Sequence, residues 1–269
     1  MGIGDYLTIG KPDEKKTITI ETNPIDAVAH AYRLWQKYDH VNCNYKQVLN
    51  EAERIVAPLD AILPETIGDE YIQAIQTIDR KLHTGLFYTA LLNIGKQQRR
   101  LHITIPHVAL LGYGLRKGTM EVHAYTTEVG EYATGGCIIA HEWVLGAGIK
   151  SHNTLYVAYK GIQYPQEGGC NNIFIIHNRF ILGHTHNLYI ILLEKCARIY
   201  SDEHAAYVGK PGLIVRIDEL VGRLCPKWVQ KRAKLQKLVR NVRVATQNGI
   251  EVNEDIVRNL SKNIGNLCR

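Results

Sequence analysis

The spacing of apolar and polar positions changes twice along this chain. Residues 1–22 read as an extended arm, in which Thr17-Ile-Thr-Ile-Glu-Thr22 alternates with the period of a short strand. From residue 24 the period is helical. Ile25, Val28, Ala29, Tyr32 and Trp35 fall three and four residues apart, behind Asn23 as N-cap and Pro24 in the first turn. A second helix is predicted over 45–56, closed by Pro58. A third is predicted from Gly68 through Tyr71, Ile72, Ile75, Ile78 and Leu82 to about Ile94, with Gly85 as its weak point.

At Leu101 the chain turns to Ile, Val, Thr and Tyr punctuated by Gly and Asn, which is β composition. Strands are predicted near 101–105, 120–127, 137–145, 154–159, 172–176 and 188–193, and the last stretch also fits a helix over 188–198. Short connections favour antiparallel pairing over crossover units. Beyond Pro211 the helical period returns over 226–244 and 253–264, the latter with Glu254 and Asp255 in its first turn. No internal repeat is apparent. The predicted class is α+β: an N-terminal helical region, a central antiparallel β core and C-terminal helices. The predicted segments are 1–100 (arm plus helices), 101–208 (β-rich core) and 209–269 (basic helical region), which one domain can contain.

The 269 residues are 45% hydrophobic and 22% charged, a globular composition. No apolar run reaches the ~18 residues a spanning helix needs. Asp5, Asp13 and Glu14 interrupt the layout of a secretory signal, and six scattered cysteines form no C-x-x-C pair. Reduced thiols in an intracellular, cytoplasmic setting are therefore expected.

The net charge of +6 is unevenly spread. Residues 1–100 carry 12 basic and 13 acidic side chains, 101–200 carry 7 and 6, and 201–269 carry 13 and 7. The excess concentrates in Arg223, Lys227, Lys231, Arg232, Lys234, Lys237, Arg240 and Arg243, with no acid between them. Trp228, Leu235, Leu238, Val239 and Val242 recur there at helical spacing as an apolar stripe. Like charges three or four apart repel by a few tenths of a kcal/mol per pair, so a one-sign helix calls for an anionic partner. Nucleic acid, RNA in particular, fits through counterion release. An anionic membrane surface fits if the stripe turns outward, and a solubilising face with no ligand is the bland alternative.

Nine of the twelve histidines lie between His102 and His204. His102-Ile-Thr104 and His152-Asn-Thr154 each set His and Thr on one face of an extended segment. That layout resembles the two-histidine phosphodiesterases. The resemblance implies one His as base, the other as acid, and the Thr hydroxyls holding a phosphate. His177, His184 and His186 form a weaker group, with His141, Glu142 or Glu194 as further candidates, suited to a divalent metal although no established metal motif matches. Gly135-Gly-Cys137 with His141 suggests a thiol nucleophile but lacks an orienting carboxylate.

No motif calls for a cofactor. Fifteen Tyr against three Phe suit surfaces that are part buried and part hydrogen-bonded, which points to homo-oligomeric self-association. Residues 113–125 are similar to a strand region of rhabdovirus matrix proteins, which are basic and bridge membrane and nucleocapsid; the similarity carries over no functional residue. The sequence thus reads as a non-enzymatic, self-associating structural or accessory protein of viral type that binds nucleic acid. A histidine phosphodiesterase and a matrix-like peripheral membrane binder are its rivals.

Overall fold

The computed structural model describes residues 23–38, 43–76, 83–163 and 172–181, and beyond them strands within 188–225. Helix α1 (Pro24–Gln36) starts where its cap predicts, with the Ile25 N–H donating to Asn23 Oδ1 at 3.0 Å. Helix α2 (Tyr45–Val56) opens on a reciprocal capping box between Asn44 and Gln47, and Pro58 lies in the 3₁₀ turn Ala57–Leu59 that follows. The predicted third helix is two, α3 (Asp69–Gln76) and α4 (Thr84–Asn93), and every residue of α4 is buried. Its Gly85 is a packing requirement. A Cβ there would lie 2.1 Å from the Ala109 carbonyl oxygen, so only glycine lets the helix backbone approach that strap. Tyr32, Trp35 and Phe87 pack with ring centroids 5.0 to 5.6 Å apart, and this helical core continues into the interior of the β region.

The strands are β1 (Thr66–Ile67), β2 (Arg100–Ile103), β3 (Thr119–Val122), β4 (Thr126–Val129), β5 (Cys137–Ala140), β6 (Trp143–Ala147), β7 (Leu155–Ala158) and β8 (Gly161–Gln163). They continue as β9 (Asn172–Ile176), β10 (Arg179–Ile181), β11 (Leu188–Leu192), β12 (Arg198–Ser201), β13 (His204–Val208), β14 (Leu213–Ile217) and β15 (Leu224–Cys225). One sheet runs β1-β2-β3-β5-β7-β9-β11-β14-β15 and the other β13-β12-β10-β8-β6-β4. Pairing is parallel from β1 through β11 and from β4 through β12. The described antiparallel pairs, β11–β14, β14–β15 and β12–β13, come at the C-terminal end.

The antiparallel core predicted from sequence is therefore corrected to a parallel, β-solenoid-like winding. Thr119 pairs with Cys137, Cys137 with Leu155 and Leu155 with Ile173, a step of 18 residues each time. In the second sheet Trp143, Gly161 and Arg179 keep the same step. An internal repeat is present after all, and from β3 through β12 each coil gives one strand to each sheet. The stretches 120–127 and 137–145, predicted as single strands, each hold two strands joined by a corner. The short connections that suggested hairpins are those corners, and the strand that pairs lies a full coil away.

Gly112, Gly130 and Gly148 recur at that 18-residue step with φ of 69°, 71° and 79°, so the left-handed turn is built at the same place in successive coils. β3, β5, β7 and β9 are buried at every position, as parallel strands covered on both faces should be.

Strands β14 and β15 carry the sheet past residue 208, where the β core was predicted to end. The arm 1–22 and the predicted helices 226–244 and 253–264 lie outside the described residues. Among the described residues no helix is long and apolar enough to cross a membrane.

Candidate functional site

The corner that follows β3, β5, β7 and β9 carries a row of rings: His123, His141, Tyr159 and His177, each 18 residues from the last. The backbone sets the row. The N–H groups of His123, His141, Tyr159 and His177 donate to Ile103, Val122, Ala140 and Ala158 carbonyls at 2.8 to 3.0 Å, so the parallel ladder extends one residue into the corner. Successive rings stack at 4.1, 4.8 and 4.3 Å with interplanar angles of 10°, 12° and 18°. Stacking along the coil axis turns ring edges, not faces, outward.

At one end of the row sits a single carboxylate. Glu121 pairs with His102 in the β2–β3 register, and His123 lies two residues on, so alternation brings all three to one side. His141 Nε2 is 2.7 Å from Glu121 Oε1, and His123 Nε2 is 3.4 Å from the same oxygen. His102 Nδ1 is 3.6 Å from Oε2, which also accepts Arg100 Nη2 at 2.5 Å and Arg100 Nε at 2.7 Å. Beside them the Thr104 hydroxyl meets Asp69 Oδ1 at 3.1 Å, at the start of α3. Glu121 is 8% exposed, while the side chains of His102, His123 and His141 are 31%, 36% and 32% exposed. The carboxylate is the buried centre and the imidazoles are its solvent-facing rim.

Burial alone would push the Glu121 carboxyl up, but the His141 hydrogen bond and the charges of Arg100 and His102 outweigh it and hold it at about 2. Burial, reinforced by neighbouring His141, lowers the His123 imidazole below its ordinary value against the opposing pull of Glu121. The corner thus combines a permanent anion with an imidazole biased to its neutral form.

The residues singled out from sequence fare differently. His102 and Thr104 join this corner, but His152 and Thr154 precede β7 at the other end of the sheet's strands. Thr154 is fully buried, its hydroxyl donating to the His152 carbonyl at 3.0 Å and to that of Gly135 at 3.4 Å, and its N–H is held by Asn172 Oδ1 at 3.1 Å. Strands β3 and β5 separate β2 from β7, three strand spacings or about 14 Å. The four side chains do not share a cleft. Of the metal group, His177 belongs to the ring row, with Tyr159 between it and His141. His184 and His186 lie outside the described residues, as do Arg223, Lys227, Lys231, Arg232, Lys234, Lys237, Arg240 and Arg243. Cys137 is buried in β5, where burial pushes its thiol up to about 12, the opposite of an activated nucleophile.

Sequence reasoning missed Glu121, His123, Arg100 and Asp69. The available signal was the recurrence of His123, His141 and His177 at multiples of 18, which becomes visible once the coil length is known. No family model matches this chain, and neither a curated protein nor a solved structure matches it.

Proposed function

We propose that this chain is a solenoid-built binding protein whose partner is nucleic acid, RNA in the first instance, engaged by the cations of residues 223–243. The observation that carries the reading is the charge pattern: eight basic side chains without one acid, attached to a body of 200 residues that is close to neutral. Such a segment gains binding free energy by releasing counterions from a phosphate backbone.

The fold supports this in a specific way. β15 is the far edge of the nine-stranded sheet from β1, and the basic stretch begins at that edge, since Leu224 and Cys225 fall inside it. Stacked-coil proteins need a terminal cap with a polar outer face, and cationic side chains at a sheet edge oppose edge-to-edge pairing. A helix whose apolar stripe (Trp228, Leu235, Leu238, Val239, Val242) covers the last coil would meet that need. It would also present its cations to a ligand.

The test is fluorescence anisotropy of the full chain with a single-stranded RNA, beside a Lys231→Glu/Lys234→Glu/Lys237→Glu variant whose fold is checked by circular dichroism. At least about a tenfold loss of affinity is expected, because each reversed lysine removes a phosphate contact and adds a repulsion. Unchanged RNA affinity overturns the reading. So does binding to anionic vesicles in place of RNA, which would assign the same cations to a membrane surface.

A further inference from the structure

We propose that His102, Glu121 and His123 form a binding site for a divalent first-row transition ion, zinc or cobalt in the first instance. One ligand atom from each of the three lies within 4.8 Å of the others. The carboxylate-to-imidazole edges are 3.4 Å, from His123 Nε2 to Oε1, and 3.6 Å, from His102 Nδ1 to Oε2. A tetrahedral ion with bonds of about 2.0–2.1 Å requires ligand–ligand edges of roughly 3.4 Å, so the edge from His123 Nε2 to Glu121 Oε1 is already set. His102 Nδ1, which faces the other oxygen, completes the set by turning toward an ion held on Oε1.

The carboxylate has room for the ion. An ionised carboxylate accepts at about four lone-pair positions. Arg100 fills two on Oε2 and His141 one on Oε1. The remaining position is on Oε1, the oxygen that faces His123 Nε2. Arg100 and His141 then act from outside the ligand set, orienting the carboxylate as hydrogen-bonded partners of metal ligands do. Asp69, held beside the corner by Thr104, supplies a second negative charge against the sum of ion and guanidinium. His102 and Glu121 face each other on adjacent strands in fixed parallel register, and His123 follows directly at the end of β3, which preorganises the site. Two imidazoles and one carboxylate suit zinc, cobalt, nickel or iron over calcium and magnesium. The exposed side of the imidazoles leaves at least one coordination position for water or a ligand.

The test uses the full chain, purified without a histidine tag and stripped with chelator, then titrated with zinc chloride by calorimetry and with cobalt chloride by visible absorption. His102→Asn and His123→Asn are chosen because both side chains are part exposed, with the fold of each variant checked by circular dichroism; His152→Asn, at the far end of the strands, is the control. The proposal predicts saturable binding of one ion, weakened at least about tenfold in each of the first two variants and unchanged in the control. A wild-type protein that binds neither ion overturns it. Equal binding by His102→Asn and His123→Asn also overturns it, because the ion would then sit on other residues.

Discussion

Glu121 organises its corner because four side chains compete for its two oxygens: Arg100, His102, His123 and His141. Its folded pKa of about 2 lies below the ordinary 4.5, so the ion pair contributes stability that is fully present above pH ~4.5 and is lost as pH falls toward 2. The shift corresponds to about 3 kcal/mol at most. Glu121→Gln should therefore lower unfolding free energy near neutrality, and the gap between wild type and variant should close between pH ~4.5 and 2. Urea unfolding across that range checks it, and a gap independent of pH contradicts the ion-pair account. Cys137 gives a second residue-scale expectation. With its thiol buried and held near 12, it should resist thiol reagents in the folded chain and react once denaturant is added. Mass-spectrometric mapping of the labelled cysteine reads this directly.

The elements differ in how far their local sequence specifies them. The starts of α1 and α2 are legible because a cap is a local device: Asn23 with Pro24, and Asn44 with Gln47, act within four residues. Strand positions are legible for the same reason. Strand direction is not, because a parallel partner lies 18 residues away and the repeat is kept by conformation more than by identity. Met120, Ile138, Tyr156 and Phe174 occupy one position in successive coils, and only Tyr156 and Phe174 stack, at 4.6 Å. The corner glycines hold the clearer signal. At Gly130 φ is 71°, and a Cβ would lie 2.4 Å from the Tyr156 hydroxyl, which itself donates to the Gly130 carbonyl at 3.2 Å. Gly130→Ala should cost about 2–4 kcal/mol, from left-handed backbone strain together with overpacking. A shifted urea midpoint at unchanged slope is the expected result, and a neutral substitution would remove the corner from the account of the fold.

At the scale of the whole molecule, a winding of parallel strands joins helices at β1 to a cationic stretch that starts at β15. The winding explains why chemistry distant in sequence meets in space: one residue per coil, at a fixed step, makes a row. It equally explains why the His-x-Thr pairs fail to meet, since His102 and Thr154 belong to opposite ends of strands three places apart. The cationic stretch was legible from charge alone, whereas the Glu121 corner needed the coil length before its members could be recognised as neighbours. The proposed binding through residues 223–243 is electrostatic, so it should weaken as salt rises. The dependence of RNA affinity on salt tests this most directly. For single strands log K falls with log salt by about 0.7 for each phosphate neutralised. A steep slope is expected for the intact chain, shallower by about 2 when Lys231, Lys234 and Lys237 are reversed together. A slope near zero, or the same slope in both proteins, would contradict it.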